Sequence, residues 1–200
     1  MLGRSRSYGS TAMPPASSIF APGVLEGRTA LITGGGTGLG KAAARELLAC
    51  GARVLICGRR SEVLEAACAE LGEGCAWLAG DVREPAECER IVDATLERFG
   101  RLDTLVNNAG GQYFVPAEAI QKYPESVKAG AARSVPLGRL GRPDEHAWLI
   151  ALLATPLGRR FSGSVITLDG ARDNWFGPWP PPTLTDETGA VPTEERRPSG

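Results

Sequence analysis

The sequence predicts an α/β fold in which a parallel sheet carries helices on both faces. Short apolar segments alternate with helical patterns between residues 28 and 106, and such alternation is typical of strand–helix–strand units. The segment 53–57 is almost continuously apolar, as expected for a strand that is buried on both faces. The turn between the first strand and the first helix is rich in glycine, at residues 34–36, 38 and 40.

Each element of this alternation has its own signal. A first helix covers residues 39–50 and ends at Gly51, a second is capped by Ser61, and a third starts at Pro85. Strands are predicted in the apolar runs around these helices, at residues 28–33, 53–57, 76–79 and 102–106. The connections require right-handed crossovers between parallel strands.

The later part of the chain completes the prediction. Between residues 111 and 142 the pattern breaks, apart from a candidate short helix at 125–132. A helix at 143–154, with acids in its first turn, and a strand at 164–168 follow. We expect this last strand to pair beside the fourth, because a bare strand edge invites aggregation. The result is a truncated Rossmann-type sheet of five strands in the order 3-2-1-4-5.

The two ends of the chain differ from its middle. Residues 1–20 are predicted to be a flexible N-terminal extension, within which Met13 is an alternative start. Residues 178–200 are rich in proline, threonine and glutamate and are predicted to be a flexible tail. Residues 21–177 between them are predicted to form a single nucleotide-binding domain.

Composition narrows the classes of function. The 200 residues carry a net charge of −1, which gives no reason to expect a nucleic-acid partner. The single histidine, His146, leaves no histidine cluster for a metal, so no metal ligands are predicted. The five cysteines contain no C-x-x-C pair, and we interpret them as reduced residues of a cytoplasmic protein. No apolar run is long enough to cross a bilayer, so no membrane partner is expected.

The glycine-rich turn suggests a ligand. Between a strand and a helix, glycines let backbone N–H groups approach phosphates without a clash from Cβ. The helix that follows supplies unpaired donors and the positive end of its dipole. The segment 33–40 is therefore predicted to bind the pyrophosphate of a dinucleotide.

Five segments occur in the order of the motifs of one known family. Thr33 to Gly40 fits T-G-x-x-x-G-x-G, Asp81-Val82 follows the third strand, Asn107 to Gly110 reads N-N-A-G, and residues 135–145 and 162–170 fit two late segments. Together they resemble the short-chain dehydrogenase/reductase family over most of residues 25–177. Residues 21–27 and 110–118 are similar to its trans-2-enoyl-CoA and 2,4-dienoyl-CoA reductase branch, which implies an acyl-CoA substrate.

The resemblance also implies which residues contact the cofactor. They lie in the glycine turn, after the third strand and after the fourth: Thr33, Gly34, Gly36, Thr37, Gly38, Leu39, Gly40, Asp81, Val82, Asn108, Ala109 and Gly110. The second strand ends in Arg59 and Arg60, where an NAD enzyme usually has an acidic residue for the ribose hydroxyl. Two guanidiniums suit a 2′-phosphate instead, so the predicted cofactor is NADP(H).

The catalytic segment of the resembled family is missing. Its members use a Y-x-x-x-K pair with an upstream serine, and no Y-x-x-x-K occurs in this chain. The sequence passes near residues 120–121 from the segment after N-N-A-G to a late segment, which resembles an internal deletion. We therefore predict no catalytic residues, and oligomerisation is doubtful because the family's usual dimer helices lie in the missing block. The interpretations that stay open are an impaired oxidoreductase and, as the alternative, a non-catalytic NADP(H)-binding or interaction protein, or simply the product of a truncated gene.

Overall fold

The computed structural model describes residues 16–110, 135–139 and 141–171. Within them the chain forms four strands, four α-helices and one 3₁₀ helix. The strands are β1 (Thr29–Thr33), β2 (Arg53–Gly58), β3 (Cys75–Ala79) and β4 (Thr104–Val106). The helices are α1 (Gly38–Ala49), α2 (Ser61–Leu71), α3 (Pro85–Phe99) and α4 (Pro143–Ala154), followed by the 3₁₀ helix Pro156–Phe161.

The four strands form one parallel sheet in the order β3-β2-β1-β4. Leu31 in β1 lies opposite Leu55 in β2 on one side and Leu105 in β4 on the other. The chain moves outward from β1 through β2 to β3 and then crosses back to β4. Right-handed crossovers consequently place α1 and α2 on one face of the sheet and α3 on the other.

Side chains that alternate along the strands build a core on each face. The larger core contains Ile32 and Ile56 and receives α1 and α2, for example through Leu47 and Leu64. The smaller core contains Leu31, Leu55, Cys57, Ala76 and Ile91 of α3. Burial on both faces explains why β2 is apolar at almost every position.

The described residues fall into two compact units. One contains the sheet and all four α-helices, from residues 16–110 and 143–164. Within it α4 packs against α1 and buries Ala147 and Ala151. The other contains residues 135–139, 141–142 and 165–171. There, the Leu137 N–H donates a hydrogen bond of 3.2 Å to the Gly170 carbonyl.

The predicted α/β class, with helices on both faces of a parallel sheet, is confirmed, but the predicted fifth strand is wrong. Residues 164–168 have no strand structure, and Val165 is 95% exposed, so the sheet of the described residues has four strands. The Val, Ile and Thr residues of this segment favour a strand, but such residues form one only where they pair with a neighbouring strand and are half-buried. β4 is also shorter than predicted, at three residues.

Two further predictions concern helices. Ser61 is the first residue of α2, and Arg60 occupies the position before the helix that was predicted for Ser61. The helix at 143–154 is confirmed at both ends. The candidate helix at 125–132 and most of the two predicted flexible ends lie outside the described residues.

Candidate functional site

The glycine turn lies at the carboxyl edge of the sheet, between β1 and α1. The crossovers change direction between β1 and β4, so this edge is the topological switch point of the sheet. Ligands of open parallel sheets bind in the crevice at such a point. Fold and motif therefore place the candidate site at the same edge.

Two glycines give the turn its shape. Gly34 has a φ of +68° and Gly38 a φ of +52°, a region that favours glycine. The Gly34 N–H donates a hydrogen bond of 2.8 Å to the Cys57 carbonyl at the end of β2. The turn thus continues the pairing of β1 with β2 before it enters the helix.

Other glycines allow close approach to neighbouring backbone and side chains. A Cβ on Gly35 would lie 2.5 Å from Cγ2 of Ile56, and one on Gly40 would lie 2.5 Å from both Nδ2 of Asn108 and the Gly34 carbonyl oxygen. Because real Cβ atoms do not come so close to other heavy atoms, these positions exclude larger residues. The backbone of the turn is drawn tightly against β2 and against the loop after β4.

A side-chain network joins the turn to that loop. The Thr33 hydroxyl accepts hydrogen bonds from the backbone N–H groups of Asn108, at 3.0 Å, and Ala109, at 2.8 Å. The Asn108 side-chain amide also donates to the Thr33 carbonyl at 2.9 Å and to the Gly34 carbonyl at 3.3 Å. Thr33 is 7% exposed, so this network holds the two loops from within.

The first turn of α1 points its free donors at the same edge. Its first backbone N–H groups have no partner within the helix. Thr37 stands before the helix and makes no side-chain capping bond, and the first turn contains no acidic residue. Nothing on α1 itself therefore competes with an anion for these donors, and the helix dipole favours negative charge there.

The ends of β2 and β3 supply charged groups. Arg59 and Arg60 follow β2 and are exposed. After β3, the Arg83 side chain donates hydrogen bonds to the Asp81 carboxylate from Nη2 at 2.5 Å and from Nε at 3.0 Å. The Arg83 backbone N–H donates to the same carboxylate at 3.1 Å. These hydrogen bonds from Arg83 lower the pKa of Asp81 to about 2, and the charge of Arg59 contributes to the shift.

The structure brings together part of the predicted set by direct contact. A Cβ on Gly34 would lie 3.0 Å from Asn108 and Ala109, while Val82 packs against the smaller core. Gly36 approaches α2, since its Cβ would lie 3.1 Å from Val63. The predicted contacts of all these residues with a cofactor stay predictions.

Two residues at the site are not predicted from the sequence. Gly35 occupies a variable position of the motif, but its approach to Ile56 leaves no room for a Cβ. For Arg83 the sequence contains one signal. An aspartate whose side chain accepts from the backbone two residues later forms an Asx turn, and that later residue can then be drawn into an ion pair.

Neither cysteine chemistry nor metal chemistry is favoured at this site. Cys57 is buried at the end of β2, and burial together with nearby Cys88 raises the pKa of its thiol to about 11. A neutral, enclosed thiol is a poor nucleophile. Across residues 16–110, 135–139 and 141–171, no group of three or more histidine, cysteine or acidic residues is placed to hold a metal ion.

A separate cavity of about 260 Å³ lies at the amino edge of the sheet. Arg28, Asp103 and Arg159 line it together with the end of α4. Asp103 is fully engaged: it accepts from Arg28 and from the Thr29 N–H, both at 2.9 Å, and from Arg101. Asp103 thus holds the start of β1 through Arg28 and Thr29, at the opposite end of the strand from the glycine turn.

Comparison with known proteins decides the family. A family model described as short chain dehydrogenase matches residues 28–126. Over these residues the chain belongs to the short-chain dehydrogenase family. The peroxisomal 2,4-dienoyl-CoA reductase of Arabidopsis thaliana is 43% identical over 104 residues, which cover 50% of this chain. The predicted resemblance to that branch is confirmed, although this chain spans only 35% of that relative's length.

Two solved structures share the fold of this short-chain dehydrogenase. A Brucella melitensis 3-ketoacyl-(acyl-carrier-protein) reductase complexed with NADH aligns with a TM-score of 0.61, covering 74% of this chain and 99% of the other. The Pseudomonas aeruginosa RhlG/NADP active-site complex aligns with a TM-score of 0.67, covering 76% and 99%. Both are 24% identical to this chain, so the likeness concerns the fold.

Among the described residues, no helix combines the length and the apolar character needed to cross a bilayer.

Proposed function

We propose that this chain binds NADP(H) at the carboxyl edge of its sheet and that it lacks the acid–base pair with which reductases of its family turn substrates over. The observation that carries the binding proposal is the locked glycine turn. Neighbouring atoms occupy the space that a Cβ would need at Gly35 and Gly40. The Thr33 hydroxyl joins the turn to the backbone of Asn108 and Ala109. Such a rigid concave backbone suits a pyrophosphate.

The pyrophosphate would lie against the first turn of α1. There the backbone N–H groups of Gly38, Leu39 and Gly40 are free of partners within the helix. Thr37 precedes them with an exposed side chain, which is free of a capping bond. Two phosphate charges at this point gain hydrogen bonds and a favourable dipole without displacing any acidic side chain of the first turn.

The choice of NADP(H) over NAD(H) rests on the charges after β2 and β3. Arg59 and Arg60 are exposed where the adenosine ribose of a bound dinucleotide is expected. The carboxylate that follows β3, Asp81, is held by Arg83 and so repels a 2′-phosphate less. The guanidiniums of Arg59 and Arg60 are then available to pair with that phosphate.

The proposal about catalysis rests on the sequence. The tyrosines are residues 8, 113 and 123, and none has a lysine four positions later. A hydride donor could therefore bind without a positioned phenol to move the proton. The relatives named as 2,4-dienoyl-CoA reductases favour an acyl-CoA as the ancestral substrate, which makes an enoyl-CoA reductase with residual activity the second candidate.

The binding proposal is tested by titrating the purified chain with NADPH and with NADH. We expect NADPH to bind about tenfold more tightly, which corresponds to one charge-assisted hydrogen bond. Arg59→Ala should remove most of that difference, whereas Gly38→Asp, which adds a charge beside the helix start, should weaken both ligands. Arg45→Ala is the matched control because Arg45 is a partly exposed α1 arginine that pairs with Glu70.

The outcomes separate the two parts of the binding proposal. Equal affinity for the two nucleotides, or an unchanged ratio in Arg59→Ala, would overturn the assignment of NADP(H). Binding of neither nucleotide by a folded chain would overturn the site itself.

The catalytic proposal has its own assay. The chain is mixed with NADPH and a trans-2-enoyl-CoA or 2,4-dienoyl-CoA, and oxidation of the nicotinamide is followed by absorbance. We expect no turnover above that of the Gly38→Asp variant. A reproducible rate above this control would favour the residual reductase instead.

A further inference from the structure

The cavity at the amino edge of the sheet lies apart from the glycine turn. Arg28, Thr104 and Ala154 are among its lining residues, so it lies where β1 and β4 begin and α4 ends. The five residues of β1 separate it from the glycine turn by about 15 Å, at the usual rise of a strand. A ligand in this cavity would therefore not touch a dinucleotide at the other edge.

Two arginines of the lining keep hydrogen-bond donors that the fold does not use. Arg159, in the 3₁₀ helix, is exposed, and its side chain makes no hydrogen bond or ion pair with the residues that the structure describes. Arg28 donates from Nη1 to the Asp103 carboxylate at 2.9 Å. Its Nε and Nη2 have no partner within the same residues. The two arginines come from separate elements and line one cavity.

Asp103 is the one acidic residue of this lining, and its charge is already compensated. Its carboxylate accepts from Arg28, from the Thr29 N–H at 2.9 Å and from Nε of Arg101 at 2.8 Å. Its side chain is only 11% exposed. Because two guanidiniums pair with this carboxylate, it repels a second anion weakly. The lining therefore favours negative charge, through Arg159 above all.

A hydroxyl and an apolar wall complete the cavity. The Thr104 hydroxyl makes no hydrogen bond with the described residues, so it can donate to a ligand. Leu153, Ala154 and Pro156 supply the apolar part of the lining. Leu153 is 37% exposed, and an alkyl group packed against it would remove apolar surface from water. A ligand that suits this cavity has one anionic end and one short apolar end.

The carbonyl end of α4 is the feature that disfavours an anion here. Its effect is reduced because the Leu152 carbonyl accepts two hydrogen bonds from Thr155, one from the N–H at 3.1 Å and one from the hydroxyl at 2.7 Å. A helix end carries about half an elementary charge, whereas Arg159 carries a full one. The arginine therefore decides the sign of the ligand.

We propose that this cavity is a binding site for a small organic anion, namely a carboxylate on a short alkyl chain. The carboxylate pairs with the guanidinium of Arg159, whose planar fork of donors matches its two oxygens. The unused donors of Arg28 and the Thr104 hydroxyl bind the same group. The alkyl chain lies against Leu153. A volume of about 260 Å³ suits a molecule of a few carbons, since drug-sized ligands occupy larger pockets.

The experiment titrates the full chain, without nucleotide, with three probes in a calorimeter: butyrate, acetate and butylammonium. Butyrate should bind saturably. Butylammonium has the same alkyl chain with the opposite charge, so we expect it to bind at least about tenfold more weakly. Acetate keeps the carboxylate but leaves Leu153 uncovered, so it should bind about fivefold more weakly than butyrate.

Variants locate the bound anion. Arg159→Ala should weaken butyrate about tenfold and leave the melting temperature unchanged, since Arg159 makes no side-chain contact with the described residues that would be lost. Arg160→Ala is the matched control, because Arg160 is its exposed neighbour in the 3₁₀ helix but does not line the cavity. Thr104→Val, which keeps the side-chain volume, should weaken butyrate about threefold.

Gly38→Asp separates this cavity from the first turn of α1, which also attracts anions. It should leave butyrate affinity unchanged, whereas the proposed nucleotide site would be impaired. The two proposals can therefore fail independently.

Four outcomes would overturn the inference. They are the absence of saturable butyrate binding by the folded chain, equal affinity for butyrate and butylammonium, an equal effect of Arg159→Ala and Arg160→Ala, and loss of butyrate binding in Gly38→Asp. Equal affinity for acetate and butyrate would overturn the part of it that assigns the alkyl chain to Leu153.

Discussion

Asn108 donates two hydrogen bonds to Thr33, one from its backbone and one from its side chain. The Asn108 N–H donates to the Thr33 hydroxyl at 3.0 Å, and the Asn108 amide donates to the Thr33 carbonyl at 2.9 Å. The end of β1 and the loop after β4 therefore form one rigid piece, against which the glycine turn is packed.

Removing the Thr33 hydroxyl should destabilise the fold. In Thr33→Val the side-chain volume is nearly kept, but the N–H groups of Asn108 and Ala109 lose their acceptor. Since Thr33 is almost fully buried, we expect a loss of about 2 kcal/mol in the free energy of unfolding. Urea denaturation followed by circular dichroism measures it.

The same strand offers a matched control. The hydroxyl of Thr29 is buried and has no hydrogen-bond partner within the described residues. Thr29→Val should therefore leave stability unchanged or raise it, because replacing an unsatisfied buried hydroxyl removes a desolvation cost. An equal loss of stability in both variants would contradict the role given to the Thr33 network.

A methyl group on Gly40 should be costly. In Gly40→Ala the new Cβ would lie 2.5 Å from Nδ2 of Asn108 and from the Gly34 carbonyl oxygen, and both are fixed by the network. We expect about 3 kcal/mol of destabilisation from overpacking, measured by urea denaturation. Gly58→Ala is the control, because its Cβ would lie 3.7 Å from Leu64, at ordinary contact distance. A stable Gly40→Ala protein would show that the turn is not closely packed.

The sequence predicted the four strands of the sheet, their order and the helices between them because each of these elements buries an apolar face. Pattern and burial then agree, as in β2, where the residues from Val54 to Cys57 are all buried. The predicted strand at 164–168 is wrong because a segment rich in β-branched residues forms a strand only where it pairs with another strand. Glycine spacing predicted the turn. It could not predict that Arg83 would take the Asp81 carboxylate, because that contact depends on how the chain turns after β3.

Asp103 should make stability depend on pH in acid. Burial raises its pKa, but hydrogen bonds from Arg101, the Thr29 N–H and Arg28 outweigh it and lower the pKa from 3.8 to about 2. A lowered pKa in the folded state means that the carboxylate stabilises the fold above the unfolded-state pKa. This contribution is lost as the pH falls through the folded-state value.

The measurement compares the unaltered chain with Asp103→Asn. At neutral pH the variant should be less stable, because the amide cannot pair with two arginines. The difference in the free energy of unfolding should shrink as the pH is lowered from about 4 towards 2. Asp93→Asn, at an exposed position of α3, serves as the control. A difference that does not change with pH would contradict the prediction.

Arg83 should set how well the proposed site discriminates between NADPH and NADH. In Arg83→Ala the Asp81 carboxylate loses both guanidinium hydrogen bonds and faces the region of Arg59 with its full charge. The pKa of Asp81 should rise towards its usual range, which carboxyl NMR shifts measure during an acid titration. NADPH affinity should fall by about fivefold while NADH affinity changes little, because only the 2′-phosphate is repelled. Arg101→Ala is the matched control, since Arg101 makes the same forked pair with Asp103 at the other edge of the sheet. If Arg83→Ala moves the pKa of Asp81 but leaves the ratio of the two affinities unchanged, the phosphate does not lie beside Asp81.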